Sequence, residues 1–161
     1  MKFEDFPKLE LKENMKIIVG LDFSGSIAYN NDFLKMYRYY LSQITEQLYT
    51  TNAKVCAISF DTKVGIKKDY NSNNLIDLID FHYHAKNTCG GGTSLNLIYK
   101  YDKEQEFNAD KIIIFTDGYI DLELSDEEKS KTIFVLINVE DKDTIFEIFE
   151  KRNLTFVKSY L

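Results

Sequence analysis

Four short apolar runs rich in β-branched residues constrain this chain more than any other feature. They span Met15 to Leu21, Lys54 to Phe60, Lys111 to Thr116 and Thr132 to Asn138, and each is bounded by Asp, Gly, Asn or Ser. Short runs with little polar alternation are what strands buried on both faces require. Between the first two lies "NNDFLKMYRYYLSQITEQLYT", in which Phe33, Leu34, Tyr37, Leu41, Ile44 and Leu48 recur at helical spacing after Asn and Asp residues suited to an N-cap. A long amphipathic helix is predicted there, and core and surface contacts explain its Tyr37, Tyr39 and Tyr40 without any cofactor. "DTKVGIKKDY" predicts a tight turn into an antiparallel edge strand protected by lysines. Further helices are predicted from near Ser72 through "SNNLIDLID", after "GGGTS" to about Tyr101, and from Asp143 to about Arg152, with a last strand in "LTFVKSYL".

Strands alternating with helices predict an α/β three-layer sandwich, Rossmann-like and doubly wound, with a mostly parallel sheet of about six strands and one antiparallel edge strand. A length of 161 residues suits one domain, residues 1–161, with 1–14 as an N-terminal extension and a core from about 15 to 161. In such sheets ligands sit beyond the carboxyl ends of the strands, near the point where the strand order reverses.

Composition narrows the function classes. A net charge of -6, from 26 acidic against 20 basic residues, repels a nucleic-acid backbone, so nucleic-acid binding is not expected. "MKFEDFPKLELKEN" holds no apolar segment of signal-peptide or membrane-spanning length, so neither membrane insertion nor export is expected and the expected compartment is cytoplasmic. The two cysteines do not make a disulfide framework: Cys56 lies in the apolar "VCAISF" as a buried thiol, and Cys89 reads as a loop residue.

Three polar clusters follow strand ends or open a helix: "DFSGS" at Asp22 to Ser26, "GGGTS" at Gly90 to Ser94, and "TDG" at Thr116 to Gly118. Singly, each has a plainer reading as a turn or a helix cap. Together they fall where the crevice of the fold should be, and all supply hard oxygen donors. Alternate positions of an extended segment project to one side, so Asp22, Ser24 and Ser26 can converge while Gly25 lets the backbone bend. Magnesium or manganese prefers oxygen ligands in octahedral geometry. Hydroxyls of Ser24, Ser26 and Thr93 suit three positions, Asp22 and Asp117 would hold waters around the cation, and one position would stay open for a carboxylate from a partner protein.

"DFSGS", the threonine of "GGGTS" and "FTDG" resemble, in matching order, the metal-ion-dependent adhesion site (MIDAS) of von Willebrand factor type A (VWA) domains. The resemblance is nearest to the bacterial and phage VWA-like domains associated with metallopeptidase-like regions, and it runs from about Met15 to the C-terminus. It implies that Ser24, Ser26 and Thr93 ligate the metal directly and that Asp22 and Asp117 act mostly through water. It further implies a non-enzymatic interaction module and, as one partner class, a MoxR-type AAA+ ATPase. Phe23 stands where a smaller residue is commoner, and no H-E-x-x-H is present, so no peptidase activity carries over.

Two other classes stay open. Asp22 would be the nucleophile of a magnesium-dependent phosphatase-like hydrolase with Asp117 holding the metal, although that arrangement expects an acid where Ser24 stands. Alternatively, the chain is a structural or assembly module with a vestigial metal site. A serine hydrolase is weaker, for "DFSGS" lacks the G-x-S-x-G elbow. His82 and His84 would share a face if extended, but lacking a third ligand they read as ordinary strand residues. "DLELSDEEKS" lacks the spacing of a calcium loop and reads as a solvated loop, while "YIDLE", Tyr119 to Glu123, would form one wall of a partner-binding surface.

Overall fold

The computed structural model describes residues 2–23, 31–85, 94–121, 123–137 and 142–160. In chain order the elements are β1 (Lys2–Phe3), β2 (Lys16–Asp22), α1 (Asn31–Leu48), β3 (Lys54–Phe60), β4 (Val64–Tyr70), a 3-10 turn (Leu75–Asp80), α2 (Phe81–Ala85), α3 (Asn96–Glu104), β5 (Lys111–Thr116), α4 (Asp126–Lys131), β6 (Thr132–Leu136), α5 (Lys142–Lys151) and β7 (Thr155–Tyr160). The sheet order is β1-β7-β6-β5-β2-β3-β4. Neighbours from β7 to β3 run parallel, and β4 closes one edge antiparallel to β3. This is the α/β class the sequence predicts, with the two-residue β1 added antiparallel on the opposite edge.

Side chains of a strand alternate between faces, and the core divides accordingly. Ile17, Val19 and Leu21 of β2, Ile113 and Phe115 of β5, and Val135 of β6 pack under α1 and α2. Ile18, Ile112, Ile114, Phe134 and Leu136 pack on the other face against Leu95, Ile98, Ile145 and Phe149, from the start of α3 and from α5. Gly20 lies on this second face, where a Cβ would come within 2.9 Å of Ile114 Cδ1 and 3.2 Å of Ile98 Cδ1, so a larger residue would push α3 away. Residues ahead of β2 strap along α1: Phe6 and Leu9 are buried, and their amides donate to the Gln43 and Gln47 side chains at 2.8 Å.

Several local expectations are corrected. His82 and His84 are not strand residues; they lie in α2, with His82 fully buried and His84 exposed. Two apart on a helix, they point away from each other and do not form a metal pair. "SNNLIDLID" becomes a 3-10 turn from Leu75 rather than a helix from Ser72. The solvated loop expected at "DLELSDEEKS" ends in α4, started by a capping box in which Ser125 and Glu128 each satisfy the other's amide. Its charges still face solvent, since α4 buries none of its residues. Cys56 is buried as expected, whereas Cys89 lies outside the described residues. No described helix is long and apolar enough to cross a membrane.

Candidate metal centre

The chain leaves β2 toward β3 on one side and returns to pair β5 on the other, so the strand order reverses between β2 and β5. Asp22 ends β2, and Asp117 directly follows β5. Both are withdrawn from solvent, at 0% and 7% exposure. Leu21 pairs with Phe115 across the two strands, which brings the next residues, Asp22 and Thr116, to the same level. There the Thr116 hydroxyl donates to Asp22 Oδ2 at 2.8 Å and accepts the Gly118 amide at 3.2 Å. The Tyr119 amide donates to Asp117 Oδ1 at 3.3 Å, and the Tyr119 ring beyond it is exposed.

From the α1 side, the buried Tyr37 hydroxyl donates to the main-chain oxygen of Asp22. Burial raises the pKa of Tyr37 well above its ordinary value, and the negative charges of Asp22 and then Asp117 raise it further. Both carboxylates therefore act on one point, and the phenol stays protonated as a donor.

A third strand-end acid, Asp61, was not singled out by sequence. It follows β3 and is 4% exposed, its side chain accepts the Lys63 amide at 2.9 Å, and its carbonyl accepts the Ser94 amide at 2.8 Å. It thus anchors the backbone that enters α3 one residue after Thr93. The signal was present as "FD", an apolar strand ending in Asp like the "LD" of β2. Of the four buried acids among the described residues, only Asp102 lies away from these strand ends. It accepts Lys131 Nζ at 2.9 Å and the Ala109 amide at 2.9 Å, a structural role that ties α3 to α4.

The structure thus brings together Asp22 and Asp117 of the expected set, with Thr116 between them. Ser24, Ser26 and Thr93 lie outside the described residues. Among the described residues no three His, Cys, Asp or Glu side chains gather as a metal cluster. Two carboxylates and the Thr116 hydroxyl are hard oxygen donors of the kind that suits a hard divalent cation, provided further hydroxyls supply the remaining donors.

No family model matches the chain, and no curated protein matches it. Solved structures do. An aerotolerance-related membrane protein from Bacteroides fragilis, carrying multiple mutations to serine, aligns with 91% of this chain and 92% of its own at 13% identity and a TM-score of 0.61. BatB, a conserved hypothetical protein from Bacteroides thetaiotaomicron, aligns with 91% of each chain at 15% identity and a TM-score of 0.63. Proximal thread matrix protein 1 from the mussel byssus aligns with 86% of this chain and 44% of its own at 17% identity and a TM-score of 0.58. At such identities the likeness is one of fold alone, the Rossmann-like α/β sandwich described above.

Proposed function

We propose that the chain is a metal-dependent protein-interaction module, not an enzyme. It binds Mg2+ or Mn2+ through Ser24, Ser26 and Thr93, with Asp22 and Asp117 orienting bound waters. The supporting observation is the burial of Asp22 and Asp117 at adjacent strand ends where the strand order reverses, with the Thr116 hydroxyl on Asp22. The VWA-like fold of the neighbours supports an interaction role. When bound, the cation would supply an electrophilic position that a carboxylate of a partner completes. The chain's own residues then hold the two carboxylates at neighbouring strand ends, away from bulk solvent, with the exposed Tyr119 directly after Asp117-Gly118. A cytoplasmic MoxR-type AAA+ ATPase belongs to the partner classes this reading admits.

Complete burial of Asp22, with Oδ2 occupied by the Thr116 hydroxyl, argues against the phosphatase-like alternative, because a carboxylate nucleophile must reach its substrate. Thermal unfolding with MgCl2, MnCl2 or chelator, in wild type and Asp22→Ala, tests the reading. Free cation at a hundredfold excess over its dissociation constant stabilises the folded state by about 2.7 kcal/mol. A saturable shift in wild type that is lost in Asp22→Ala is expected. A folded wild type indifferent to millimolar cation sinks the proposal, as does magnesium-dependent hydrolysis of p-nitrophenyl phosphate that disappears in Asp22→Ala.

A further inference from the structure

Tyr37 of α1 engages both carboxylate-bearing strand ends. Its ring packs 5.3 Å from that of Phe23, immediately after Asp22, and 5.3 Å from that of Phe115, two residues before Asp117. All three aromatic residues are fully withdrawn from solvent. Its hydroxyl donates to the Asp22 main-chain oxygen, at the residue where β2 ends and the "DFSGS" segment begins. Phe23 is also tied on its other side, since its amide donates to the Phe60 carbonyl at 2.9 Å. A hydrogen bond to a carbonyl fixes the orientation of that peptide plane, and thereby the direction in which the chain leaves the strand.

Resting on the metal-site reading above, we propose that Tyr37 is a positioning residue for the cation, setting the exit direction of the Asp22–Phe23 backbone and its spacing from the β5 end. The residue ligates nothing. It acts by holding the peptide that carries Asp22 and leads to Ser24 and Ser26, while the aromatic wedge of Phe23, Tyr37 and Phe115 keeps the two strand ends at a fixed separation. The unusual size of Phe23 follows from this arrangement, for a smaller residue there would leave the Tyr37 ring without its seat on the β2 side.

A plain core role for Tyr37 makes a different prediction, and Tyr40 supplies the matched control. Tyr40 is equally buried on the same helix, and its hydroxyl donates to a main-chain carbonyl, that of Glu4, on the N-terminal strap. Titrating Mn2+ calorimetrically into wild type, Tyr37→Phe and Tyr40→Phe, with thermal unfolding of each in chelator, separates the roles. Both variants should melt somewhat earlier without metal. Only Tyr37→Phe should weaken Mn2+, by about tenfold, the scale at which residues that orient ligands act. Phe23→Leu, which keeps the hydroxyl but shrinks the ring's seat, should weaken Mn2+ in the same direction and serves if Tyr37→Phe does not fold. Equal Mn2+ affinity in Tyr37→Phe and wild type, or equal loss in Tyr40→Phe, overturns the positioning role and leaves the metal site standing. Absence of Mn2+ binding in wild type overturns both.

Discussion

His82 makes the stability of this protein depend on pH between about 6.5 and 4. The ring is fully buried, and neither nitrogen makes a hydrogen bond of good geometry, although the Ile79 main chain lies close enough to act on it. Burial lowers its pKa from 6.5 to about 4, the Arg38 guanidinium on α1 and His84 on α2 act in the same direction, and Asp80 and the Ile79 main chain, both of the 3-10 turn, oppose them. Arg38 and Asp80 pair with each other beside the ring. Because the folded value lies below the unfolded one, the unfolded chain binds more protons wherever the two differ. Stability is therefore complete above about pH 6.5, falls as pH drops through the window down to about 4, and levels off below it. At pH 5 linkage gives a loss of about 2 kcal/mol, and the full difference corresponds to about 3 kcal/mol as a ceiling. Solvent screening around the half-exposed Arg38 lowers that ceiling toward about 2 kcal/mol.

The measurement is urea unfolding of wild type and His82→Leu from pH 7.5 to 4. Carboxylates titrate in both proteins, so the difference between the two curves isolates the histidine. Leucine fills the apolar site without a proton to gain, and the stability gap should move in its favour by about 2 kcal/mol across the window, or several degrees in Tm for a chain of this size. Curves that stay parallel from pH 7.5 to 4 would show that the imidazole finds a partner or water in solution, and the reasoning from burial would fail.

Three other substitutions test the strand ends and the corrected helix. Thr116→Val keeps shape but removes the hydroxyl on Asp22 Oδ2, and should cost about 2 kcal/mol in urea unfolding, since hydrogen bonds to charged groups are the stronger ones. Gly118→Ala places a Cβ 2.5 Å from Ile145 Cγ2 at a φ of +93°, so a loss of about 2 to 3 kcal/mol is expected, read as a lower midpoint at unchanged slope. Ser125→Ala removes the N-cap of α4 and should lower stability by about 1 kcal/mol, whereas a truly irregular loop there would show no change.

The parallel strands and α1 were legible in sequence because each is written in a period: apolar runs for strands buried on both faces, and spacing near 3.6 for the helix. The short elements carry no such imprint. "FHYHA" is too brief for helical periodicity to outvote the alternation of its histidines, and tertiary packing against α1 decided it. Ser125 to Glu128 did carry a readable cap pattern, masked by the acidity around it. At the candidate site, Asp22 and Asp117 were legible as strand-end acids, but their adjacency follows from a strand order that local sequence does not encode. Tyr37 was legible only as a core residue, because the group it binds is a main-chain oxygen, and a carbonyl leaves no residue type behind.

The division of the core into two faces also decides which way this edge of the sheet points. Asp22 shares the parity of Ile18 and Gly20, and Thr116 that of Ile112 and Ile114, so both polar side chains belong to the face covered by α3 and α5. Phe23 and Phe115 have the opposite parity and pack under α1, where Tyr37 meets them. Carboxylate and aromatic wedge therefore occupy opposite faces of the same strand ends, and a one-residue slip of either strand would exchange them. The apolar pattern that fixes the register fixes these placements with it: Asp22 and Thr116 face the helix that the "GGGTS" segment leads into, while the Asp22 backbone is held from behind by Tyr37. On the proposed reading, a cation oriented through Asp22 would therefore lie on the α3 side of the strand ends, not under α1.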